Sequence, residues 1–420
     1  MGTRDRRVVI TGMGVVAPGT PGRKAFWQRL VDGRPAFRPI SFFDAGAFRS
    51  RIAAECDFDP AREGLTAREI RRLDRAAQLL LVAGDEAVAD SGVDIDGSAE
   101  RAGVSIGTAV GCTMRLESEY VVLSDQARRW EVDPGYVVPH QYDYFVPSSF
   151  AAEVATRFGT LGPATVVSAG CTSGIDSVGH AWRLIREGSA DIMLAGGTDA
   201  PISPITVACF DAIKATSPRN DDPVNAMRPF DRHRSGFVLA EGAAVLVLEE
   251  YGAARRRGAH IYAEIAGYGA MCNAYHMTGL RTDGAELAGA MDAALTTAGV
   301  APDAVDYLNA HGTATQQNDR HETAAIKRAL GQHAYSVPIS SVKSMIGHSL
   351  GAIGTIEIAA SALAIEHGTI PPTANLTEPD PELDLDYVPL TAREAPLRTV
   401  MTVGSGFGGF QSAMVLRGRP

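Results

Sequence analysis

The sequence predicts an α/β fold with a mainly parallel sheet, and three observations carry that prediction. Short β-branched runs alternate with Ala-rich amphipathic stretches along most of the 420 residues. A strand followed by Gly-x-Gly occurs twice, in Arg7–Gly14 and again in Tyr262–Gly269. The composition, 45% hydrophobic and 21% charged, is that of an ordinary globular chain and argues against disorder. The length suits two domains or one large α/β unit.

In chain order, Arg7–Thr11 reads as a strand, Ala76–Ser91 as a helix and Gly103–Ile106 as a strand. The β-branched pair Val166-Val167 stops at Ser168-Ala169-Gly170-Cys171, after which Ile175, Val178, Trp182 and Ile185 recur at helical spacing. Ala190–Ala195, Ala243–Leu248, Ile261–Ile265 and Val305–Asn309 read as strands, with Gly284–Ala298 and His321–Leu330 helical. The repeated Gly-x-Gly rhythm predicts a duplication into two similar halves, parted within residues 252–260. Met114–Tyr144 is aromatic and charged without clean periodicity, and reads as an excursion capping a site or an interface.

Composition narrows the function classes. Met1–Arg7 lead into only Val8-Val9-Ile10, too short for a signal peptide's apolar core or a membrane span, so neither is expected. The cysteines (Cys56, Cys112, Cys171, Cys209, Cys272) are odd in number, scattered and free of CxxC pairing. No disulfide framework or zinc site is expected, and a reducing cytoplasmic setting is. A net charge of −10 argues against general nucleic-acid binding.

Cys171 stands where a strand turns into a helix. The unsatisfied N–H groups and dipole of a helix start favour an anion, which predicts a thiol shifted toward thiolate. A buried structural cysteine is the alternative. The small neighbours Ala169, Gly170, Ser173 and Gly174 favour a nucleophile, because they let a carbonyl approach the backbone. Two histidines follow strand-like runs: His311 after Val305–Ala310, and His348 beyond Val337–Val342. Functional groups collect at the carboxyl ends of strands in open α/β sheets. One such histidine would pass for a cap or core residue; two of them with an elbow cysteine point to a site. The run Val403-Gly404-Ser405-Gly406-Phe407-Gly408-Gly409-Phe410 is either a tight turn or a loop aiming an N–H at a developing oxyanion, with the Cys171 N–H as its partner. It lacks the downstream helix and acidic residue of a dinucleotide fingerprint.

These pieces stand as G-C-T-S-G (170–174), N-A-H-G-T-A-T (309–315), K-S-M-I-G-H-S-L-G-A-I-G (343–354) and G-F-G-G (406–409). With V-V-I-T-G-M-G (8–14), R-N-D-D-P (219–223), R-P-F-D (228–231), G-F-V-L-A-E-G-A (236–243) and N-A-Y-H-M-T (273–278), the chain resembles the β-ketoacyl synthases of the thiolase superfamily nearly end to end. R-I-A-A-E-C-D-F-D-P (51–60), V-A-C-F-D-A-I (207–213), Q-N-D-R-H-E-T-A-A (317–325) and G-F-G-G-F-Q-S-A-M-V-L-R (406–417) are most similar to the ketosynthase α subunits of type II aromatic polyketide pathways in actinomycetes. His311-Gly312-Thr313-Ala314-Thr315 departs from their usual H-G-S-G-T and resembles the fatty-acid enzymes.

The resemblance implies a duplicated five-layer α-β-α-β-α fold, with Cys171 in half 1–252 and both histidines and the glycine loop in half 253–420. It implies decarboxylative Claisen condensation. Cys171 would carry the acyl chain as a thioester, and its N–H with that of Phe407 would form the oxyanion hole. His311 and His348, as neutral imidazoles with tautomers set by neighbouring partners, would bond the malonyl thioester oxygen. Lys343 and Glu322 match a pair behind the histidines. Thr278, Thr313 and Thr315 match positions lining the channel for the phosphopantetheine arm of acyl carrier protein, and Val110, Cys112 and Phe210 match positions bearing on tunnel length. No bound cofactor or metal is implied. The implied partners are a chain length factor, as heterodimer, and acyl carrier protein. Arg68, Arg71, Arg72 and Arg75, at helical spacing, with Lys214 and Arg219, would form the carrier-protein patch. Three other readings stand beside this one. The fatty-acid elongating synthase shares the catalytic residues. The chain length factor itself lacks the nucleophile that Cys171 supplies, and a thiolase would carry a C-x-G motif that is absent here.

Overall fold

The computed structural model describes residues 6–19, 21–126, 128–129 and 132–419. Met1–Asp5, from the segment read as too short for a leader, lie outside the described residues, as do Ala127, Trp130 and Glu131 of the 114–144 excursion.

Apolar runs become strands as the periodicity predicts. In the first half they are β1 (Val8–Val16), β2 (Ala102–Gly107), β3 (Ala164–Val167), β4 (Ile192–Asp199) and β5 (Gly242–Glu250). In the second they are β6 (Ala263–Cys272), β7 (Tyr307–Asn309), β8 (Ile339–Ser340), β9 (Thr399–Gly406) and β10 (Phe410–Arg417). They hydrogen-bond in the order β8-β7-β9-β10-β6-β1-β5-β4-β2-β3. The seam is an antiparallel pairing of Val8–Ile10 with Ala263–Ile265. Outward from the seam both halves repeat one pattern: two antiparallel pairings, then two parallel ones. The expectation of a mainly parallel sheet is therefore corrected to a mixed one. Within each half one strand, β5 or β10, runs against the other four, and hydrophobic periodicity reports burial without direction.

The helices lie in three layers. Arg75–Ser91 (α1) and Ser149–Phe158 (α2) cover the outer face of the first half-sheet. Ser173–Glu187 (α3) and Ile353–His367 (α6) pack together between the half-sheets, and Ala285–Ala298 (α4) with Gln316–Leu330 (α5) covers the second. The result is the five-layer duplicated arrangement. On α3, Ile175, Val178, Trp182 and Ile185 are all buried; about 1.5–3 kcal/mol for each such side chain outweighs the ~1 kcal/mol cost of Gly174 and Gly179 in the helix. The stretch Leu350–His367 is long and apolar enough to cross a membrane, but it is packed inside the molecule as the central helix.

The Gly-x-Gly rhythm has the same physical cause in both halves. A Cβ on Gly12 or Gly14 would stand 2.4 and 2.0 Å from carbonyl oxygens of Ala87 and Ala83 in α1. On Gly267 or Gly269 it would stand 2.2 Å from Ala294 and Ala290 oxygens in α4. Only glycine lets either helix lie so close to its strand.

Candidate active site

Cys171, His311 and Phe407 follow the ends of strands, and His348 follows a helical turn, Lys343–Ile346. After β3, Gly170 adopts φ +58° and turns the chain so that Cys171 precedes α3. Ser173 Oγ holds this elbow, donating to the Gly170 carbonyl at 2.6 Å and accepting the Ala169 N–H at 2.9 Å. After β7, the backbone N–H groups of His311 and Gly312 donate to the two carboxylate oxygens of Glu322 on α5 at 2.6 and 2.8 Å. His348 is stitched in like a strand: its N–H donates to the Val238 carbonyl at 2.9 Å, and its carbonyl accepts the Ala240 N–H at 3.0 Å. That explains the G-F-V-L-A-E-G-A run. It also explains Gly347 at φ +74°, where a Cβ would meet Val238 and Ala240 at 2.9 Å.

These turns converge on one partly open cavity of about 490 Å³, the solvent space at its mouth included. Cys171, His311, His348, Phe407, Phe210 and the threonines 278, 313 and 315 all line it. Phe237, Leu280, Gln317, Asn318 and Leu350 line it as well, and the sequence did not single these out. The imidazoles of His311 and His348 meet edge to face, centroids 5.4 Å apart. The backbone N–H groups of Phe407 and of Cys171 itself both pull the pKa of the Cys171 thiol down. Two donors thus converge where charge would build on an oxygen bound beside that sulfur.

Electrostatics corrects one expectation. Burial pushes the Cys171 thiol up to about 11, and the pull of Lys343 and the two N–H groups only partly offsets it. The helix start does not yield a resting thiolate, because desolvation outweighs it. Both histidines sit well below the usual imidazole range, first from burial and then from the Lys343 charge. They are neutral near pH 7. Among the described residues nothing hydrogen-bonds Nδ1 of either ring, so the expected tautomer-setting partners are not found there.

Family models settle the lineage. The β-ketoacyl synthase N-terminal domain matches residues 5–254 and the C-terminal domain residues 262–377. The chain belongs to the β-ketoacyl synthase family. It is 67% identical to the oxytetracycline polyketide β-ketoacyl synthase 1 of Streptomyces rimosus, over 98% of this chain and 97% of that one. It is 63% identical to the tetracenomycin polyketide synthase ketoacyl synthase alpha subunit of Streptomyces glaucescens, over 98% and 97%. Two solved structures share the fold. The first is a type II PKS acyl-carrier protein in complex with its ketosynthase bound to the hexaketide (TM-score 0.92, 37% identity, covering 99% of this chain and all of that one). The second is the ishigamide ketosynthase/chain length factor (TM-score 0.90, 36% identity, 99% and 100%).

In this β-ketoacyl synthase the remaining expected residues divide. Lys343 and Glu322 do sit behind the histidines, but not as a pair. Lys343 Nζ bonds Glu357 Oε1 on α6, both side chains fully buried, while Glu322 holds the His311 backbone. Glu357 went unnoticed in the sequence, although a lone acid in the apolar run 353–364 was the available signal. Val110 and Cys112 do not line the cavity. Val110 is 37% exposed, and Cys112 is buried in the first-half core with Tyr144 and Phe150.

The arginine patch is also corrected. Arg68, Arg71 and Arg72 lie on a short helix, Ala67–Arg72, which Leu73 and Asp74 break in extended conformation before Arg75 opens α1. Arg72 pairs with Glu153 and Asp143, and Arg75 is bidentate on buried Glu241. Arg68, Arg71 and Lys214 stay exposed, and Arg219 lies 3.6 Å from Asp222. A free cationic surface therefore rests on three of the six.

Proposed function

We propose that this chain is the condensing α subunit of a type II polyketide synthase, joining a Cys171-bound acyl chain to malonyl units by decarboxylative Claisen condensation. The observation that carries this reading is one cavity holding a thiol, two neutral imidazoles and two converging backbone N–H groups. Its close likeness to polyketide synthases that work with an acyl carrier protein or a chain length factor supports both as partners here. The division into halves 1–252 and 253–420 draws support from the family boundaries and the repeated strand order. Five free cysteines support a reducing, cytoplasmic setting.

The steps follow from the residues. Cys171 Sγ attacks the acyl thioester carbon, the C–S bond to the carrier arm breaks, and the thiol proton ends on the departing arm. The Cys171 and Phe407 N–H groups stabilise the oxyanion between. Malonyl thioester then loses carbon dioxide, and the electron pair left behind forms an enolate whose oxygen accepts hydrogen bonds from His311 and His348. The enolate carbon attacks the acyl carbon, the C–S bond to Cys171 breaks, and the sulfur leaves as a thiolate that takes a proton from water to restore the thiol. The step consumes no oxidant or reductant, so no cofactor is proposed. Thr278, Thr313 and Thr315 line the approach of the carrier arm, and Arg68, Arg71 and Lys214 are the residues left to meet an acidic carrier protein. Burial, with Lys343 behind it, keeps the histidines neutral, and Glu322 holds the His311 turn.

The test is product analysis with malonyl-loaded carrier protein, with and without a co-expressed chain length factor. Long poly-β-keto products formed only with the partner are expected; condensation of short acyl chains by the isolated subunit would move the assignment to fatty-acid elongation.

A further inference from the structure

Asp176 lies in the first turn of α3, just after the Cys171 elbow, and three hydroxyl groups converge on its carboxylate. Thr172 Oγ1 donates to Oδ2 at 2.7 Å and Tyr268 Oη donates to Oδ1 at 2.8 Å. Ser412 Oγ donates to the same Oδ1. The three donors have different origins. Thr172 adjoins the nucleophile. Ser412 lies on β10 opposite Gly404 of β9, and Tyr268 lies on β6 opposite Met414 of β10. The turn joining β9 to β10 carries Phe407.

Elbow and hairpin are already in contact. A Cβ on Gly404 would stand 3.4 Å from Thr172 Cγ2, and one on Gly406 would stand 3.2 Å from the Cys171 nitrogen. Tyr268 is in turn packed on α3, since a Cβ on Gly179 would meet its ring at 2.7 Å. The Cys171 N–H belongs to the elbow and the Phe407 N–H to the hairpin turn, where a Cβ on Gly170 would stand 3.8 Å from the Phe407 nitrogen, and the Asp176 carboxylate is bonded to both segments. Hydroxyls donating to a carboxylate form stronger, better-defined bonds than neutral pairs.

We propose that Asp176 is a positioning residue that sets the separation of the Cys171 and Phe407 N–H donors, and so the rate of acyl transfer at Cys171, without touching substrate. This rests on the reading above that those donors form the oxyanion hole. It separates Asp176 from the histidines: loosening the tie slows acylation while the decarboxylation chemistry at His311 and His348 keeps its geometry.

The experiment uses the full chain with its partner subunit. It times acylation of Cys171 from a short acyl-carrier protein by intact mass, and carbon dioxide release from malonyl-carrier protein in parallel. Asp176→Ala is expected to slow acylation about 30-fold, since a misplacement of ~1 Å costs about 100-fold, and to slow carbon dioxide release no more than about threefold. Asp176→Asn is expected to restore most of the rate, because the amide oxygen still accepts from Tyr268 and Ser412 while its N–H bonds Thr172. If Asp176→Ala does not fold, Tyr268→Phe with Ser412→Ala cuts the same tie near-isosterically, with an expected loss of about tenfold. Equal loss of both rates, or unimpaired acylation in a folded variant, would overturn the proposal. A wild-type chain that takes no acyl group would instead bring down the functional reading itself.

Discussion

Lys343 and Glu357 face each other with fully buried side chains, one in the turn before His348 and the other on the central helix α6. The cation lowers the pKa of Cys171, His311 and His348 alike. Placing a charge there without its partner is costly, so Lys343→Met should lower stability by about 3–5 kcal/mol in urea denaturation. The double variant K343M/E357L should regain most of that loss. A single variant as stable as wild type would show that the pair is not isolated from water.

The same cation adds to burial in setting the pH dependence. His311 and His348 have lowered pKa values, so they stay neutral until the pH falls well below the usual imidazole range. The acid limb of carbon dioxide release from malonyl-carrier protein should therefore lie well below pH 6.5, the ordinary imidazole value. Lys343→Met should move that limb upward. An unmoved limb would place the controlling group elsewhere.

Cys171 gives a test of opposite sign. With its thiol near pKa 11, the thiolate fraction grows about tenfold per pH unit through the whole range from 7 to 10. Alkylation by iodoacetamide, followed by mass at Cys171, should rise without levelling. A plateau near pH 8 would mean that the helix start and Lys343 outweigh burial after all.

Gly170 is held at φ +58°, and a Cβ there would stand 3.0 Å from the Phe407 carbonyl oxygen. Gly170→Ala should cost about 1–2 kcal/mol for the left-handed backbone alone. It should also push the Phe407 turn away from the elbow, slowing acylation more than it lowers Tm. Wild-type acylation in this variant would mean that the spacing across the elbow is unimportant.

The histidines should divide from the cysteine in function. His311→Ala and His348→Ala are expected to leave acyl loading less affected than condensation, read by intact mass and by product formation. Equal loss of both in each variant would remove the division of roles.

What was legible in the sequence was local. Strand ends, elbow and glycine loop are encoded within a few residues, so Cys171, His311, His348 and the glycine loop were found from their own neighbourhoods, while Phe407 within that loop came from the family resemblance. The Gly-x-Gly echo was legible too, because close packing of α1 and α4 leaves a mark at each strand. Strand direction was not, since the reversals of β5 and β10 leave the apolar pattern unchanged. Lys343 and Glu357 stand 14 residues apart on different elements, and the Tyr268 and Ser412 hydroxyls reach Asp176 from 92 and 236 residues away, so no spacing rule relates them. The arginine spacing misled because Leu73 and Asp74 break the helix that the spacing assumed. The thiolate expectation weighed the helix start without the desolvation that only the closed fold imposes.

The most direct measurement is the intact mass of the wild-type chain and of Cys171→Ala, each with its partner subunit, after incubation with acyl-carrier protein. A stable acyl adduct is expected on the wild type, located at Cys171 by peptide mapping, and none on the variant. An adduct of equal yield on Cys171→Ala would contradict it.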